Sequence, residues 1–339
     1  MASIYFSRSL WAYKFRKLSY WFSACVSYVQ LYLRIRMQRF QQPVIGILLT
    51  EHLGDIVAAE PIIGELRRMH PNAKIVWIVK ASFRSLLENH PQIDEVIEEN
   101  SVLNSIWLTQ RHPFTHFYNL HLSNLRFDPY FKRGLMNQKA DQLGLTMHTY
   151  YHRGNLLKGV FDLCDIPYLE SKQPHLYLRN EDSLKLPPNY WVIHRKSNGA
   201  DREWVDGNWQ ALIEKILDRY DATIIEIGVS DGLAIQHPKF LSFVGKTSLT
   251  NMAKIIQGAE FFIGIDSGPT HIANAFEIPG LILLGNYKDF KNHMPYSGAY
   301  ENGRAKIYHY PDGLSTEIPL ETVWELLSQF KPIPETQLA

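Results

Sequence analysis

Cysteine is scarce in this chain, and the scarcity restricts both its chemistry and its compartment. Only Cys25 and Cys164 occur among 339 residues, which is too few for a disulfide framework, and neither stands in a paired metal-binding spacing. The 14 histidines, including His52, His121 and His194, show no metal-like spacing either. The sequence therefore predicts no metal, no other cofactor, and a reducing compartment such as the cytoplasm.

Acidic residues are absent from the N-terminal part of the chain. Residues 1–50 contain seven Lys or Arg and no Asp or Glu, although the whole chain has a formal net charge of only +1. An uncharged run, Leu18 to Leu33, has 16 residues, which is slightly fewer than the ~20 that a membrane-spanning helix needs. No small-residue cleavage site is evident, so a signal peptide is not expected.

This N-terminal segment has the pattern of an amphipathic helix, with polar side chains on one face and apolar side chains on much of the rest. The polar set is Arg16, Ser19, Ser23, Ser27, Gln30 and Arg34, and the apolar set is Trp11, Phe15, Leu18, Phe22, Val26 and Val29. We expect an extension over residues 1–42 that contacts an anionic membrane surface through residues 8–40. Packing on its own protein or on a second subunit is the alternative. Nucleic acid is not an expected partner, because no nucleic-acid-binding module follows.

Two common nucleotide-binding signatures are also missing. No GxGxxG follows the first predicted strand and no GxxxxGK[ST] occurs anywhere, which argues against a dinucleotide-dependent dehydrogenase and a P-loop nucleotidase. Strands and helices nevertheless alternate from Val44 onward, as in doubly wound α/β domains. Because the linker-like stretch LKLPPN interrupts the alternation, we predict domains at residues 43–186 and 190–316, followed by a C-terminal helix and tail at 317–339.

Each predicted domain contains one strand that ends in a polar turn. In the first, a strand at 44–50 and the loop EHLGD precede a helix at 56–69. In the second, FFIGIDSGPTHIANAFEIPGLILLG at 261–285 encodes a strand, a turn with Asp266, a helix and another strand. Ligands of open α/β sheets bind outside the carboxyl ends of the strands. We therefore expect Asp55 and Asp266 to face each other across one cleft.

The turn after the second of these strands is predicted to bind an anion such as a diphosphate. Its helix would direct free backbone N–H groups toward the ligand, and Gly268 would allow close approach. Helix capping is the alternative role for Asp266 or Ser267, and also for Asp55. Basic side chains in the loop after residue 194 would add positive charge, unless that loop is merely solvated; they are Arg195, Lys196 and Arg202.

Three motifs occur in a characteristic order: GDIVAAEP, REWVDGNWQALI and FIGIDSGPTHIANAFEIPGLILLGN. Together they resemble the glycosyltransferase family 9 enzymes, the lipopolysaccharide heptosyltransferase family, over residues 44 to about 290. The resemblance implies two Rossmann-like domains in a GT-B arrangement. It also implies metal-independent, inverting transfer of a heptose-like sugar from a nucleotide diphosphate sugar, ADP-heptose above all, to a lipopolysaccharide core or other lipid-linked glycan. The enzyme would act as a peripheral protein on the cytoplasmic face of a bacterial membrane.

The resemblance also implies roles for individual residues. Asp55 would be the general base that takes the proton of the acceptor hydroxyl, with Gly54 and His52 on the acceptor side. The diphosphate would lie at the start of the helix after Gly268, and Asp266 would hold sugar hydroxyls. The full set of expected donor-binding residues is Lys196, Arg202, Asp231, Thr247, Asp266, Ser267, Gly268, Thr270 and His271.

The sequence departs from the family pattern at several places. Arg202 replaces a common Lys, Asp231 is a displaced counterpart of the acidic residue that faces the ribose, Asn286 replaces a proline, and the loop YKDFKNHMPYSG is unlike the usual one. Two other functions stay open for this reason. One is a GT-B relative that epimerises or hydrolyses a nucleotide sugar, and the other is a non-catalytic membrane-associated scaffold.

Overall fold

The computed structural model of the chain describes residues 2–179, 184–286 and 293–331. Within them two parallel β-sheets follow one another, the first between residues 44 and 119 and the second between residues 190 and 309. The predicted α/β class is therefore confirmed. The boundary between residues 186 and 190 stays a prediction, and it lies just before the first strand of the second sheet.

One long helix, α1 (Ala2–Gln38), begins the chain and packs on the first domain. Tyr28 Oη donates a hydrogen bond to the Arg111 carbonyl (2.6 Å), and Arg34 pairs with Glu95 (2.8 Å). The side chain of Ile35 is fully buried in a core cluster that includes residues of the first strand. None of the helices in the described part of the chain combines the length and hydropathy needed to cross a membrane.

The first sheet has four parallel strands in the order β3-β2-β1-β4. Because the sheet is covered on both faces, alternate side chains of β1 pack in different core clusters. Val44 and Leu48 pack with residues of α1 and α4, and Ile45 and Ile47 pack with residues of α2 and α3. The elements are β1 (Val44–Leu48), α2 (Leu53–Ala59), α3 (Ile62–Met69), β2 (Lys74–Val79), β3 (Glu95–Glu98), α4 (Val102–Gln110), β4 (His116–Asn119), α5 (Gln138–Gln142) and α6 (Leu156–Leu163).

The prediction of one helix over residues 56–69 is wrong. The chain forms α2 from Leu53 and then α3 from Ile62, with Pro61 at the N-cap of α3. Proline has no N–H to donate, and its ring clashes with the carbonyl four residues earlier, so it interrupts a continuous helix. The earlier start of α2 has a consequence for the site, because Asp55 lies in the first turn of a helix and not in a loop.

The second sheet has six parallel strands in the order β10-β9-β8-β5-β6-β7. This order reverses between β5 and β8, which is the topological switch point where such sheets bind ligands. The edge strand β10 was not predicted, because only its first residue is fully buried and its apolar pattern is weak. The elements are β5 (Tyr190–His194), α7 (Asp206–Arg219), β6 (Thr223–Glu226), β7 (Phe240–Ser242), α8 (Leu249–Gln257), β8 (Phe261–Ile265), α9 (Gly268–Ala275), β9 (Gly280–Leu284), β10 (Ala305–His309) and α10 (Leu320–Phe330).

The packing of α1 predicts unequal effects for two neighbouring substitutions. Ile35→Ala should lower the free energy of unfolding of the first domain by about 2–5 kcal/mol, because it leaves a cavity in a packed cluster. Leu33→Ala, at a side chain that is 56% exposed, should change it by less than about 0.5 kcal/mol. Urea unfolding of both variants provides the measurement. Equal losses would contradict the burial of one face of α1.

Candidate active site

The two domains meet where α2 and α9 begin. A Cβ atom at Gly54 would lie 2.8 Å from Cδ2 of His271, and one at Gly268 would lie 2.6 Å from Cδ2 of Leu53. Carbon atoms pack at about 3.5–4.0 Å, so this contact needs glycine at both positions. Gly268 was expected to allow the approach of a ligand. In this structure Leu53 of the opposite domain occupies the space beside it.

Asp55 lies in the first turn of α2 at the carboxyl end of β1. Its carboxylate accepts a hydrogen bond from the His52 backbone N–H (3.2 Å) and lies 3.4 Å from His52 Nδ1. Burial opposes ionisation of Asp55, but the hydrogen bond and positive charge of His52 outweigh it, so the pKa of Asp55 lies below its ordinary value. The same hydrogen bond raises the pKa of His52. Asp55 is therefore not the N-cap residue of α2, although its carboxylate bonds the backbone N–H at the start of the helix. The Asp55 side chain remains 43% exposed.

A buried ion network holds the turn that precedes Asp55. Arg126 Nε pairs with Glu51 (2.6 Å), and its two terminal nitrogens each lie 2.7 Å from a Glu99 oxygen. Lys80 pairs with Glu51 from the end of β2. Sequence reasoning missed this network, because Arg126 is 75 residues from Glu51 and no local pattern marks the pair. It fixes the backbone from which His52 reaches Asp55.

The start of α9 is held from inside the second domain. Ser267 is the N-cap residue, yet its side chain makes no capping hydrogen bond. Its hydroxyl lies 3.0 Å from His194 Nδ1 and 3.2 Å from Thr270 Oγ1, and Thr270 Oγ1 donates to the Ile265 carbonyl (2.6 Å). The capping alternative is therefore wrong for the Ser267 side chain. Burial and the charge of Arg195 lower the pKa of His194 to about 4, so this imidazole is neutral at pH 7.

Asp266 is the central carboxylate of the second domain. It lies 3.5 Å from Arg202 Nη1 and accepts a hydrogen bond from Tyr296 Oη at 3.4 Å, both long contacts. Burial, and then the charge of Asp266, raise the pKa of Tyr296, so its hydroxyl stays a donor. Burial lowers the pKa of His271, while the charges of Asp266 and Asp55 oppose that shift. The charges of carboxylates from both domains therefore act on one neutral imidazole.

A cavity opens beside Asp266 and Arg202 at the carboxyl ends of β9 and β10. The other residues that line it are Leu283, Leu284, Gly285, His293, Pro295, His309 and Ser315. Asn286 follows this wall, where the family pattern has a proline. Its backbone N–H donates to the Gly313 carbonyl (2.7 Å) and its side chain donates to the Pro311 carbonyl (2.9 Å). A proline could not make the first bond. The predicted departures at residues 287–292 lie outside the described residues.

Three of the predicted donor-binding residues lie apart from Asp266 and Arg202. Lys196 forms an ion pair with Glu203 (3.2 Å) within its own loop. Asp231 is exposed after β6, with a left-handed φ of 61°, and Thr247 lies half-buried before α8. Within residues 2–179, 184–286 and 293–331, no hydrogen bond or ion pair joins any of these three to Asp266. They follow other strands at the same edge of the sheet. The sequence therefore predicted the correct edge of the sheet for these residues, but it did not predict that they lie apart from Asp266.

Arg195 also has a different position from the one expected of a ligand-binding cation. It is buried, and it bonds Glu226 and Asp206, each at 2.6 Å. It thus fastens the end of β5 to the neighbouring strand and helix. Among the residues that the structure describes, no group of three or more His, Cys, Asp or Glu is arranged to hold a metal ion.

Two parallel-sheet domains that face each other at the carboxyl ends of their strands form the GT-B arrangement of glycosyltransferases. The glycosyltransferase family 9 (heptosyltransferase) model matches residues 165–318. Lipopolysaccharide heptosyltransferase 1 of Pseudomonas aeruginosa is 21% identical over 329 residues, which cover 84% of this chain and 87% of the relative.

Solved structures agree with this similarity. The Escherichia coli ADP-heptose lps heptosyltransferase II has a TM-score of 0.61 and 16% identity, with 85% of this chain and 98% of that chain covered. The E. coli heptosyltransferase WaaC with ADP-2-deoxy-2-fluoro heptose has a TM-score of 0.56 and 13% identity, with 84% and 99% covered. At these identities the structures show a shared fold. Together with the sequence matches, they confirm the predicted resemblance to glycosyltransferase family 9 and indicate that the chain is a glycosyltransferase.

The glycine contact between the domains leads to a prediction about packing. Gly54→Ala should lower the free energy of unfolding by about 1–3 kcal/mol, because the new methyl group overpacks against the buried His271 ring. Gly159→Ala is the matched control, since Gly159 is also helical and a Cβ there meets nothing within 4 Å. That control should stabilise by about 0.5–1 kcal/mol. Thermal unfolding measures both, and a stabilising Gly54→Ala would contradict the contact.

A second prediction concerns the pKa of Asp55. His52→Gln removes the positive charge that lowers this pKa and leaves the opposing effect of burial, so the pKa of Asp55 should rise. Titration of the Asp55 carboxyl carbon by NMR, assigned with Asp55→Asn, provides the measurement. His148→Gln, at another exposed histidine, should leave the titration unchanged. An unchanged or lower Asp55 pKa in His52→Gln would show that the imidazole does not control this carboxylate.

Proposed function

We propose that this glycosyltransferase moves a heptose-like sugar from a nucleotide diphosphate sugar, with ADP-heptose as the preferred donor, to a lipopolysaccharide core or other lipid-linked glycan. The observation that carries the proposal is the contact between the helix starts beside Asp55 and Asp266, where Gly54 of α2 packs against His271 of α9. The printed names of the relatives, which include heptosyltransferases solved with ADP-heptose analogues, support the choice of donor and acceptor.

Asp55 is the general base in this proposal. The acceptor hydroxyl attacks the anomeric carbon of the donor, its proton passes to the Asp55 carboxylate, and the bond from that carbon to the diphosphate oxygen breaks. The lowered pKa keeps Asp55 ionised at neutral pH, and its partial exposure leaves an oxygen accessible to a hydroxyl. One attack from the side opposite the leaving group inverts the anomeric centre. A base on α2 and a donor site on α9 suit that geometry.

The donor would lie along the start of α9. The backbone N–H groups at a helix N-terminus favour an anion, and Ser267, Thr270 and Arg202 stand close by. Arg202 can neutralise charge that develops on the departing diphosphate, and a guanidinium can bind two phosphate oxygens at once. We propose that this arrangement works without a metal ion. Asp266 would then accept hydrogen bonds from sugar hydroxyls, since its present contacts are long.

The reaction would take place at the cytoplasmic face of a bacterial membrane, with the chain bound as a peripheral protein through residues 8–40. The support for this location is the excess of basic residues before residue 50 and the apolar side chains that α1 exposes. A lipid-linked acceptor would be available at the same surface.

The decisive variant is Asp55→Asn, which keeps the shape of the side chain and removes its basicity. With an ADP-heptose donor and a lipid A-core acceptor, kcat should fall about 10²- to 10⁴-fold, while the donor KM changes little. Asp221→Asn is the control, because its side chain is 80% exposed and pairs only with Lys239 on the surface. Release of ADP measures turnover. Unchanged turnover in Asp55→Asn would remove Asp55 from the role of base.

The same assay separates the other candidate functions. Consumption of donor without any acceptor would indicate an epimerase or hydrolase. Calorimetry that detects no binding of any nucleotide diphosphate sugar would indicate a non-catalytic scaffold.

Turnover that persists in EDTA is expected, and its loss would contradict metal independence.

A further inference from the structure

The outward face of α1 carries a regular line of large apolar side chains. They repeat every 11 residues with internal spacings of four, three and four, and each is 40–84% exposed. We call this line the apolar stripe; its members are Trp11, Phe15, Leu18, Phe22, Val26, Val29, Leu33 and Met37 of α1, and Phe40 in the turn just after it. Exposed apolar patches of this extent are rare on soluble monomers and mark interaction surfaces.

The side of α1 opposite the stripe faces the protein. An α-helix turns by about 100° per residue, which places Tyr20, Ala24, Tyr28, Leu31 and Ile35 about half a turn away from the stripe. Tyr20 bonds Asp128 (2.6 Å), and Ala24 and Ile35 are buried. The helix is therefore fixed to the first domain through one face and presents its most apolar face to the outside.

The shape of the stripe suits a flat surface. Eleven residues span slightly more than three whole turns, so an 11-residue repeat drifts only about 20° around an α-helix in each repeat. From Trp11 to Met37 the stripe therefore runs nearly straight for about 39 Å, at about 1.5 Å per residue. Its aromatic and aliphatic side chains could all enter the same interfacial layer at similar depth.

The charges beside the stripe favour an anionic lipid surface over a second copy of the chain. Lys14, Arg16 and Arg36 are exposed around the stripe, and residues 1–50 have no acidic side chain to pair with them. Two copies joined along the stripe would bring basic flanks together, which is unfavourable. Anionic headgroups would instead attract each flank.

The direction of α1 relates the stripe to the active site. Tyr20 contacts Asp128, in the segment after β4 at the carboxyl edge of the sheet. Arg34 pairs with Glu95, the first residue of β3, at the opposite edge. The helix thus runs from the edge that carries Asp55 to the far edge. The stripe therefore extends along the first domain toward the sheet edge that carries Asp55.

We propose that the apolar stripe of α1 docks in the plane of an anionic lipid bilayer and holds the cleft at the membrane surface, so that a lipid-anchored acceptor reaches Asp55 without leaving the bilayer. This inference rests on the proposed function for the nature of the acceptor. The docking itself rests on the helix alone. Binding and catalysis can therefore be tested separately.

The test uses the full chain with Phe15→Gln, Phe22→Gln and Val29→Gln combined, since glutamine keeps helix propensity and removes the apolar contact. Ser19→Gln with Ser23→Gln is the matched control at exposed positions outside the stripe. Sedimentation with phosphatidylglycerol-containing vesicles should show at least about tenfold weaker binding for the triple variant only, because interfacial binding scales with buried apolar area. Wild-type binding should weaken on pure phosphatidylcholine vesicles.

Turnover is then compared on an acceptor embedded in vesicles and on its deacylated, soluble form. The triple variant should lose turnover at least about tenfold on the embedded acceptor and keep the wild-type kcat/KM on the soluble form. Equal vesicle binding by the triple variant and the wild type would overturn the docking. A wild-type dimer in light scattering that the triple variant converts to monomers would overturn it in favour of a second copy. A wild type that binds vesicles but turns over neither acceptor would refute the proposed function and leave the docking intact.

Discussion

The contact between the starts of α2 and α9 is the constraint on which the rest of the structure depends. Each helix follows a central strand of its own sheet, β1 or β8, so each start lies at the switch point of a parallel sheet. Gly54 and Gly268 let the two helices touch through His271 and Leu53. The contact also joins the cores, because one continuous apolar cluster includes Ile56 of α2 and Ile272 of α9. A change of position in either helix would therefore affect the packing of both domains.

The sequence predicted those parts of the fold that rest on local patterns. The buried strands β1, β5 and β8 are short apolar runs, and the polar turns after β1 and β8 predict that Asp55 and Asp266 lie at facing edges. The sequence could not predict what depends on distant partners. Nothing near Arg126 indicates Glu51, and nothing near Tyr296 indicates Asp266, since these pairs are brought together only by the tertiary fold. The edge strand β10 escaped detection because half-buried edge strands lack a continuous apolar run.

The N-terminal helix shows why an amphipathic pattern alone left two alternatives open. Packing on the protein and exposure of an apolar face looked like competing explanations of one pattern. In the structure they occupy opposite sides of the same helix, because Ala24 and Tyr28 pack against the domain while the apolar stripe faces outward. The buried face of α1 is therefore determined by its complementarity to α4 and to the segment around Asp128, and not by hydrophobicity.

The two histidines near Asp55 differ in a way that suits a base. His52 is exposed and its pKa is raised by Asp55, whereas His271 is buried and its pKa is lowered. The positive charge that favours ionised Asp55 therefore comes from His52, the exposed histidine, and not from the buried His271. In the proposed reaction, a neutral His271 would not compete with Arg202 for the diphosphate. Arg202, held near Asp266 in the second domain, would then meet the negative charge of the leaving group as it separates from the sugar.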